Sequence, residues 1–259
     1  MRPLRTTEPD IAPIVWHDLE CGSYRADLTL WRELAARTAA QGRPCRVLEL
    51  GCGTGRVSLD LAAAGHRVTG LDRDPRFTAE LRRRAAAQNL GSGAVVGDVR
   101  TFGLRRRFDL VLAAMQLLQL LPTADERIGV LERARAHLRA GGVFAAALLD
   151  LTGEVTGDEY QPPLPDMHES HGWAWSSQPT AIRLHDRGAA LTLERTRRAV
   201  SPHGEIAETE DSVRLELIRP NRLEKELRAA GITPIERHVI PATDEHVGSV
   251  AVIGEAGDA

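Results

Sequence analysis

The chain has 259 residues, 42% of them hydrophobic and 27% charged, enough to bury one sizeable core with room for a modest insertion. A formal net charge of −3 excludes the broad basic field of a nucleic-acid binder, and Arg82–Arg84 and Arg105–Arg107 read as a solvated helix face and a charged turn. Three cysteines without a CxxC pair argue against a disulfide framework or a zinc ribbon. With no secretory leader and no apolar run long enough to span a bilayer, a cytoplasmic protein without membrane or nucleic-acid partners is expected.

In chain order, residues 1–45 form a lead-in ending in a helix from about Asp27 to Ala40, with Leu28, Leu30, Trp31 and Leu34 on one face. From Arg46 a strand, loop and helix pattern repeats. Val47–Leu50 is an apolar strand, GCGTG a loop, and Val57–Ala64 a helix stopped by Gly65. Arg67–Leu71 is a second strand, and Asp74 caps a helix that opens with Pro75. Ala94–Val96 and Asp109–Ala114 are the third and fourth strands. Thr123 to Glu126 is a capping box for a helix ended by Gly141-Gly142, and Val143–Leu149 is a fifth strand. Continuous apolar strands alternating with amphipathic helices imply a parallel sheet covered on both faces. The texture then changes. Residues 151–170 read as proline-rich loop, and strands over 173–177, 181–185, 190–199 and 205–217 form an antiparallel insertion expected to act as a lid. A helix from about Pro220 to Ala230 and strands over 232–240 and 249–253 close the core. The expected organisation is lead-in 1–45, nucleotide-binding core 46–150, β insertion 151–217 and closing segment 218–259.

The stretch VLELGCGTG carries the functional argument. Glycines at 51, 53 and 55 allow a sharp turn from strand to helix and a close approach of backbone N–H groups to a ligand. A nicotinamide-dinucleotide fingerprint spaces its glycines G-x-G-x-x-G, so the spacing here disfavours an oxidoreductase. Glu49, inside the strand, suits a cationic or amine-bearing ligand better than a pyrophosphate. Asp72 ends the second strand, where a carboxylate can accept hydrogen bonds from both ribose hydroxyls, and Asp98 ends the third.

E-x-G-x-G-x-G followed by these two acids resembles the motif series of the class I S-adenosylmethionine (SAM)-dependent methyltransferases, over about residues 46–150. The resemblance implies a Rossmann-like, seven-stranded, mostly parallel α/β sheet with helices on both faces, and SAM as cofactor. It implies cofactor-binding roles for Glu49, Gly51, Gly53, Gly55, Asp72, Arg73, Asp98, Val99 and Met115. Of these, Asp98 would meet the adenine amino group and the Val99 backbone the adenine ring. The lead-in with Trp16 and Tyr24 resembles the segment that closes over SAM in relatives, with Trp16-His17-Asp18 where the family usually has Tyr-Asp. No Asn/Asp-Pro-Pro-Tyr/Phe motif follows the fourth strand, which argues against amino methylation of a nucleic-acid base or protein glutamine.

Ligands of such sheets lie beyond the carboxyl ends of the strands. That brings Met115, Gln116 and Gln119 after the fourth strand, Asp150 after the fifth, and the Thr243–His246 turn to one side. Tyr24, Gln116, Gln119, Trp173 and Trp175 are the candidate acceptor contacts, the two tryptophans as an aromatic wall or as core under a sheet. His171 and His246 are general-base candidates. His168 and His171 form an HxxH pair without an evident third ligand, so no metal is expected. The function expected is methyl transfer to a small-molecule metabolite or natural-product intermediate by a monomer or homodimer. The alternatives are a SAM-binding protein that transfers no methyl, or an RNA or protein methyltransferase.

Overall fold

In the computed structural model, residues 10–149, 163–243 and 246–257 are described. The chain divides into two compact units: residues 10–24 with 163–217, and residues 25–149 with 218–257. The lead-in is thus shared out between the two.

The larger unit alternates strand and helix. Its strands are β1 (Arg46–Leu50), β2 (Arg67–Asp72), β3 (Ser92–Val96), β4 (Phe108–Ala113), β5 (Leu138–Leu149), β10 (Ile232–Ile240) and β11 (Ser249–Ala256). They form one sheet in the order β10-β11-β5-β4-β1-β2-β3. The pairs β3-β2-β1-β4-β5 are parallel, and β11 is antiparallel to β5 and to β10, so the closing hairpin is the antiparallel edge. This is the Rossmann-like sheet that the alternating pattern predicts.

Both faces are covered. Leu48 and Leu50 of β1 and Val111 and Ala113 of β4 pack with α5 (Ala124–His137) and α6 (Pro220–Ala229). Alternation along the strand sends Val47 and Glu49 to the opposite face. There α2 (Leu28–Thr38) meets β4, α3 (Arg56–Ala63) meets β2, and α4 (Pro75–Ala87) meets β2 and β3. The side chains of Asp74 and Thr123 cap α4 and α5, accepting from the backbone N–H of Arg76 and Glu126. Asp27 precedes α2 without capping it. Gly141-Gly142 does not end α5. The helix stops at His137, and the strand runs through both glycines beside a register shift between Phe108 and Leu110.

The smaller unit is a four-stranded antiparallel meander, β6 (Asp166–Ser170), β7 (Trp173–His185), β8 (Ala190–Val200) and β9 (Ile206–Glu216), with helix α1 (Ala12–Cys21) packed on β6 and β7. Two expectations change here. The segment 166–170, expected as loop, is an edge strand paired with Trp173–Ser177. The two strands expected over 173–185 are one, bulged between Pro179 and Ala181, because proline lacks the N–H a regular ladder needs. Ala12, Val15 and Trp16 of α1 form this unit's apolar core with Trp175 and Ala199. Glu20, at the end of α1, anchors the helix to the sheet. Its carboxylate accepts from Arg197 Nε and Nη2 at 2.7 and 2.8 Å and from Ser177 Oγ at 2.8 Å.

Candidate functional site

The strand order reverses at β1, because the chain proceeds from β1 to β2 on one side and returns to β4 on the other. The crevice outside the carboxyl end of a strand at such a switch point is where doubly wound sheets hold ligands. The loop Gly51–Gly55 stands there. Gly51 and Gly55 have φ of 65° and 103°, the left-handed region that costs side-chain-bearing residues most, so the loop's shape depends on them. Gly55 also precedes the first turn of α3. The loop is stitched to β2 by Cys52 N–H donating to Leu71 O at 3.0 Å and Gly53 N–H donating to Asp72 Oδ2 at 2.9 Å. Burial raises the Cys52 thiol, and the charges of Glu49 and Asp72 add to the effect, so it stays protonated and is no nucleophile.

Glu49 lies behind the loop, 3% exposed, and accepts a 2.5 Å hydrogen bond from Ser58 Oγ of α3. Its carboxyl is pushed up to about 7. Desolvation by burial is the largest cause, opposed by the Ser58 hydroxyl and by Arg56 and reinforced by Asp27. Close by is a feature that the sequence did not announce. Asp27, fully buried, accepts from Arg56 Nη1 and Nη2 at 2.5 and 2.7 Å and from Trp31 Nε1 at 2.8 Å. Arg56 is the first residue after Gly55, so this bidentate pair ties the exit of the glycine loop to the start of α2. Asp27 and Arg56 are 29 residues apart, and the only sequence signal was an arginine directly after the last glycine.

Asp72 ends β2 with both oxygens engaged, Oδ1 by Asp74 N–H at 2.9 Å and Oδ2 by Gly53 N–H. Each oxygen keeps a second lone pair for a ligand hydroxyl. Arg73 beside it is exposed. Asp98 follows β3 and accepts from Arg100 N–H at 2.8 Å through Oδ1. Its side chain is 38% exposed, and Val99 is partly buried against the core. The carboxyl ends of β1, β2 and β3 therefore carry the glycine loop and two carboxylates in adjacent order. This donor set fits SAM: acids for the ribose and the adenine amino group, and an open backbone plus a buried carboxylate for the cationic methionine end.

After β4 the backbone reaches φ 52° at Met115, a strained conformation for a side-chain-bearing residue and one that gathers at functional sites. Gln116 follows, half-buried, at the head of a 3-10 turn, Leu117–Leu120. Gln119 is corrected as an acceptor contact. It is fully buried, and its Oε1 accepts from Leu149 N–H at 2.7 Å, so it fastens this loop to the end of β5. Ser249 pairs with Leu149, so the β10–β11 turn holding His246 lies at the carboxyl end of β5, on the glycine-loop side. His246 N–H donates to Thr243 Oγ1 at 3.0 Å within that turn. Asp150 lies outside the described residues.

The remaining candidates belong to the smaller unit. Trp175 is corrected from an aromatic wall to core: it is 1% exposed, edge-to-face with Trp16 at 4.9 Å between ring centroids. Trp173 stacks on it at 5.6 Å and is only half-buried. Tyr24 is buried. His171 is exposed in the β6–β7 turn with φ 54°. Trp16, where relatives place a cofactor-closing tyrosine, is an interior residue of this unit, beneath the Arg197 guanidinium at 5.8 Å.

Comparison with known proteins agrees with this geometry. Residues 47–142 match the family model of a methyltransferase domain. The chain is 26% identical over 176 residues to the probable SAM-dependent methyltransferase TehB of Haemophilus influenzae, covering 61% of this chain and 59% of that protein. It thus spans about three-fifths of the length of that curated relative. Among solved structures, the CcbJ methyltransferase of Streptomyces caelestis is 25% identical and covers 92% of each chain with a TM-score of 0.69. The sugar N-methyltransferase KedS8 of Streptoalloteichus sp ATCC 53650 is 18% identical, with a TM-score of 0.74 over 100% of this chain and 97% of its own. Residues 47–142 thus match a methyltransferase domain, and their strand-end acids stand in the order of the class I S-adenosylmethionine-dependent methyltransferases that the sequence resembles.

Proposed function

We propose that the protein transfers the methyl group of SAM to a small-molecule acceptor, a metabolite or natural-product intermediate. The observation that carries the reading is the glycine loop sewn to Asp72 at the switch point of the sheet, with Glu49 buried behind it. Bound there, SAM supplies a methyl already made electrophilic by its sulfonium. The chain's own task is then positional. Asp72 holds the loop and offers acceptor lone pairs to the ribose, Asp98 offers a carboxylate to the adenine amino group, and Glu49 offers a charge to the methionine ammonium. Met115 and Gln116 stand at the end of β4, where a nucleophile would be oriented, and alignment alone can supply several kcal/mol. Should the acceptor release a proton, His246, beside the carboxyl end of β5, and His171, in the smaller unit, are the general-base candidates. Among the described residues of the smaller unit, Trp173 is the aromatic side chain with surface left for an acceptor.

The acceptor class rests on the solved neighbours, which match nearly the whole chain, one being a sugar N-methyltransferase. Sugars and glycosylated intermediates that bear an amine are therefore the first acceptors to try. The test is incubation with methyl-labelled SAM and a panel of amino sugars, phenols and small peptides. Label in a small product together with S-adenosylhomocysteine upholds the reading. Stoichiometric SAM binding with no transfer to any of them would leave a SAM-binding protein of another kind, and label in RNA or protein would reassign the acceptor.

A further inference from the structure

The amino ends of the parallel strands, opposite the glycine loop, hold a cavity of about 100 Å³ lined by Ala40, Arg43, Pro44, Arg46, Arg67, Asp109 and Arg139. The register explains the arginines. Arg46 of β1 is level with Arg67 of β2, and Val47 with Leu110, which puts Arg46 level with Asp109 of β4. Phe108 is level with Leu138, which puts Asp109 beside Arg139 of β5. One row across four neighbouring strands thus reads Arg67, Arg46, Asp109, Arg139, with Arg43 adding a fourth guanidinium from the loop before β1.

The single carboxylate is already committed. Asp109 is buried, with Oδ1 taken by Arg139 Nη1 and Oδ2 by Arg46 N–H at 2.8 Å. No other acid lines the cavity. The guanidiniums of Arg43, Arg46 and Arg67 are exposed and have no carboxylate partner among the described residues. Other surface arginines, such as Arg32, Arg76, Arg83, Arg183 and Arg198, each hold a carboxylate. Three cations brought to one concavity repel one another, and an anion seated among them would remove that repulsion. Guanidiniums offer the planar, forked donors that match tetrahedral oxyanions.

We infer that this amino pole is a second ligand site, one that binds a phosphate group. The cavity has room for one such group. Four residue steps of β1, roughly 13 Å, separate it from the glycine loop. It shares no residue with the cofactor site and does not depend on the proposed activity. The phosphate could be free or the head of a small phosphate ester.

The test is titration calorimetry with inorganic phosphate and, separately, glycerol 3-phosphate, at ionic strength fixed with sodium chloride, with and without saturating S-adenosylhomocysteine. Saturable one-site binding is expected in both conditions. Tighter binding of glycerol 3-phosphate assigns an ester, and equal or weaker binding assigns the free ion. Arg46→Gln and Arg67→Gln should each weaken binding about tenfold, and Arg187→Gln, in the β7–β8 turn, should leave it unchanged. Both targeted side chains are exposed, so the variants should melt with the wild type in chloride. No saturable binding beyond the chloride blank, or binding that survives the Arg46→Gln/Arg67→Gln double variant, would overturn the inference.

Discussion

Replacing Glu49 by Gln should make the free protein more stable and its cofactor binding worse. The carboxyl moves from an ordinary 4.5 in the unfolded chain to about 7 in the folded one. At about 1.36 kcal/mol per unit, that is about 3 kcal/mol. The sign follows from proton counting. At pH 4 the group is protonated in both states and contributes no difference. Between 4.5 and 7 the unfolded chain has released a proton that the folded chain retains, so stability falls as pH rises through this window. Above 7 both states are ionised and the full penalty stands. The substituted amide would still accept from Ser58 through its oxygen and would carry no charge to desolvate. Urea unfolding of wild type and Glu49→Gln should therefore coincide near pH 4 and diverge by up to about 3 kcal/mol by pH 8, with the variant more stable. Calorimetry with S-adenosylhomocysteine should show the opposite ranking. Wild-type affinity should fall at least tenfold from pH 7.5 to 5.5, as Glu49 loses the charge that meets the ligand ammonium, while the variant binds weakly at both. Parallel stability curves, or a variant with wild-type affinity at pH 7.5, would refute the assignment of Glu49 to a cation.

Asp72→Ala removes the ribose acceptor and two backbone hydrogen bonds of the loop, and should weaken S-adenosylhomocysteine binding at least tenfold, about 1.4 kcal/mol; unchanged calorimetric affinity would remove Asp72 from the site. Trp175→Ala should destabilise the smaller unit by about 3–5 kcal/mol, seen as early loss of hydrogen-exchange protection in β7 and β8, whereas Trp173→Ala should leave folding nearly intact and lower acceptor turnover. Equal effects of the two would mean that both are core. Arg56→Met leaves Asp27 buried without its cation and should cost about 3–5 kcal/mol, read by urea unfolding.

The larger unit was legible because its central strands, β1, β4 and β5, are buried on both faces and so appear as short unbroken apolar runs. The candidate cofactor residues stand out for a related reason, since they lie within or just beyond the carboxyl ends of strands. Contacts between distant segments were not legible. Asp27 sits where a helix cap belongs, and only the fold brings Arg56 to it. Helix α1 was overlooked because its apolar side serves the small sheet rather than the core that the sequence pattern described. Strand β6, Asp166–Ser170, carries no hydrophobic alternation and is a strand only by virtue of its ladder to β7. Gln119 looked like a loop glutamine because a buried amide and an exposed one have the same sequence signature; its partner, Leu149 N–H, is 30 residues on.

The Asp27–Arg56 pair bears on the chemistry of Glu49 as well as on the fold. An arginine directly after the glycine loop would by itself hold a neighbouring buried carboxyl low, as Arg83 and Arg84 hold Glu80 down to about 2. Glu49 behaves oppositely although Arg56 acts on it, because desolvation is the larger effect and the Asp27 charge counters that of Arg56. Both guanidinium nitrogens that reach Asp27 do so at hydrogen-bond distance, so the cation's charge is already balanced where it sits. Glu49 is thus a buried acid held by the hydroxyl and backbone N–H of Ser58, with Arg56 near it and already paired to Asp27. Such a group gains most from a ligand that brings a positive charge, and gains little from a phosphate or a neutral ribose. On the role proposed for Glu49, the same pair that fixes the loop's exit favours an ammonium-bearing cofactor, and an arginine left unpaired at position 56 would fill the role proposed for the ligand.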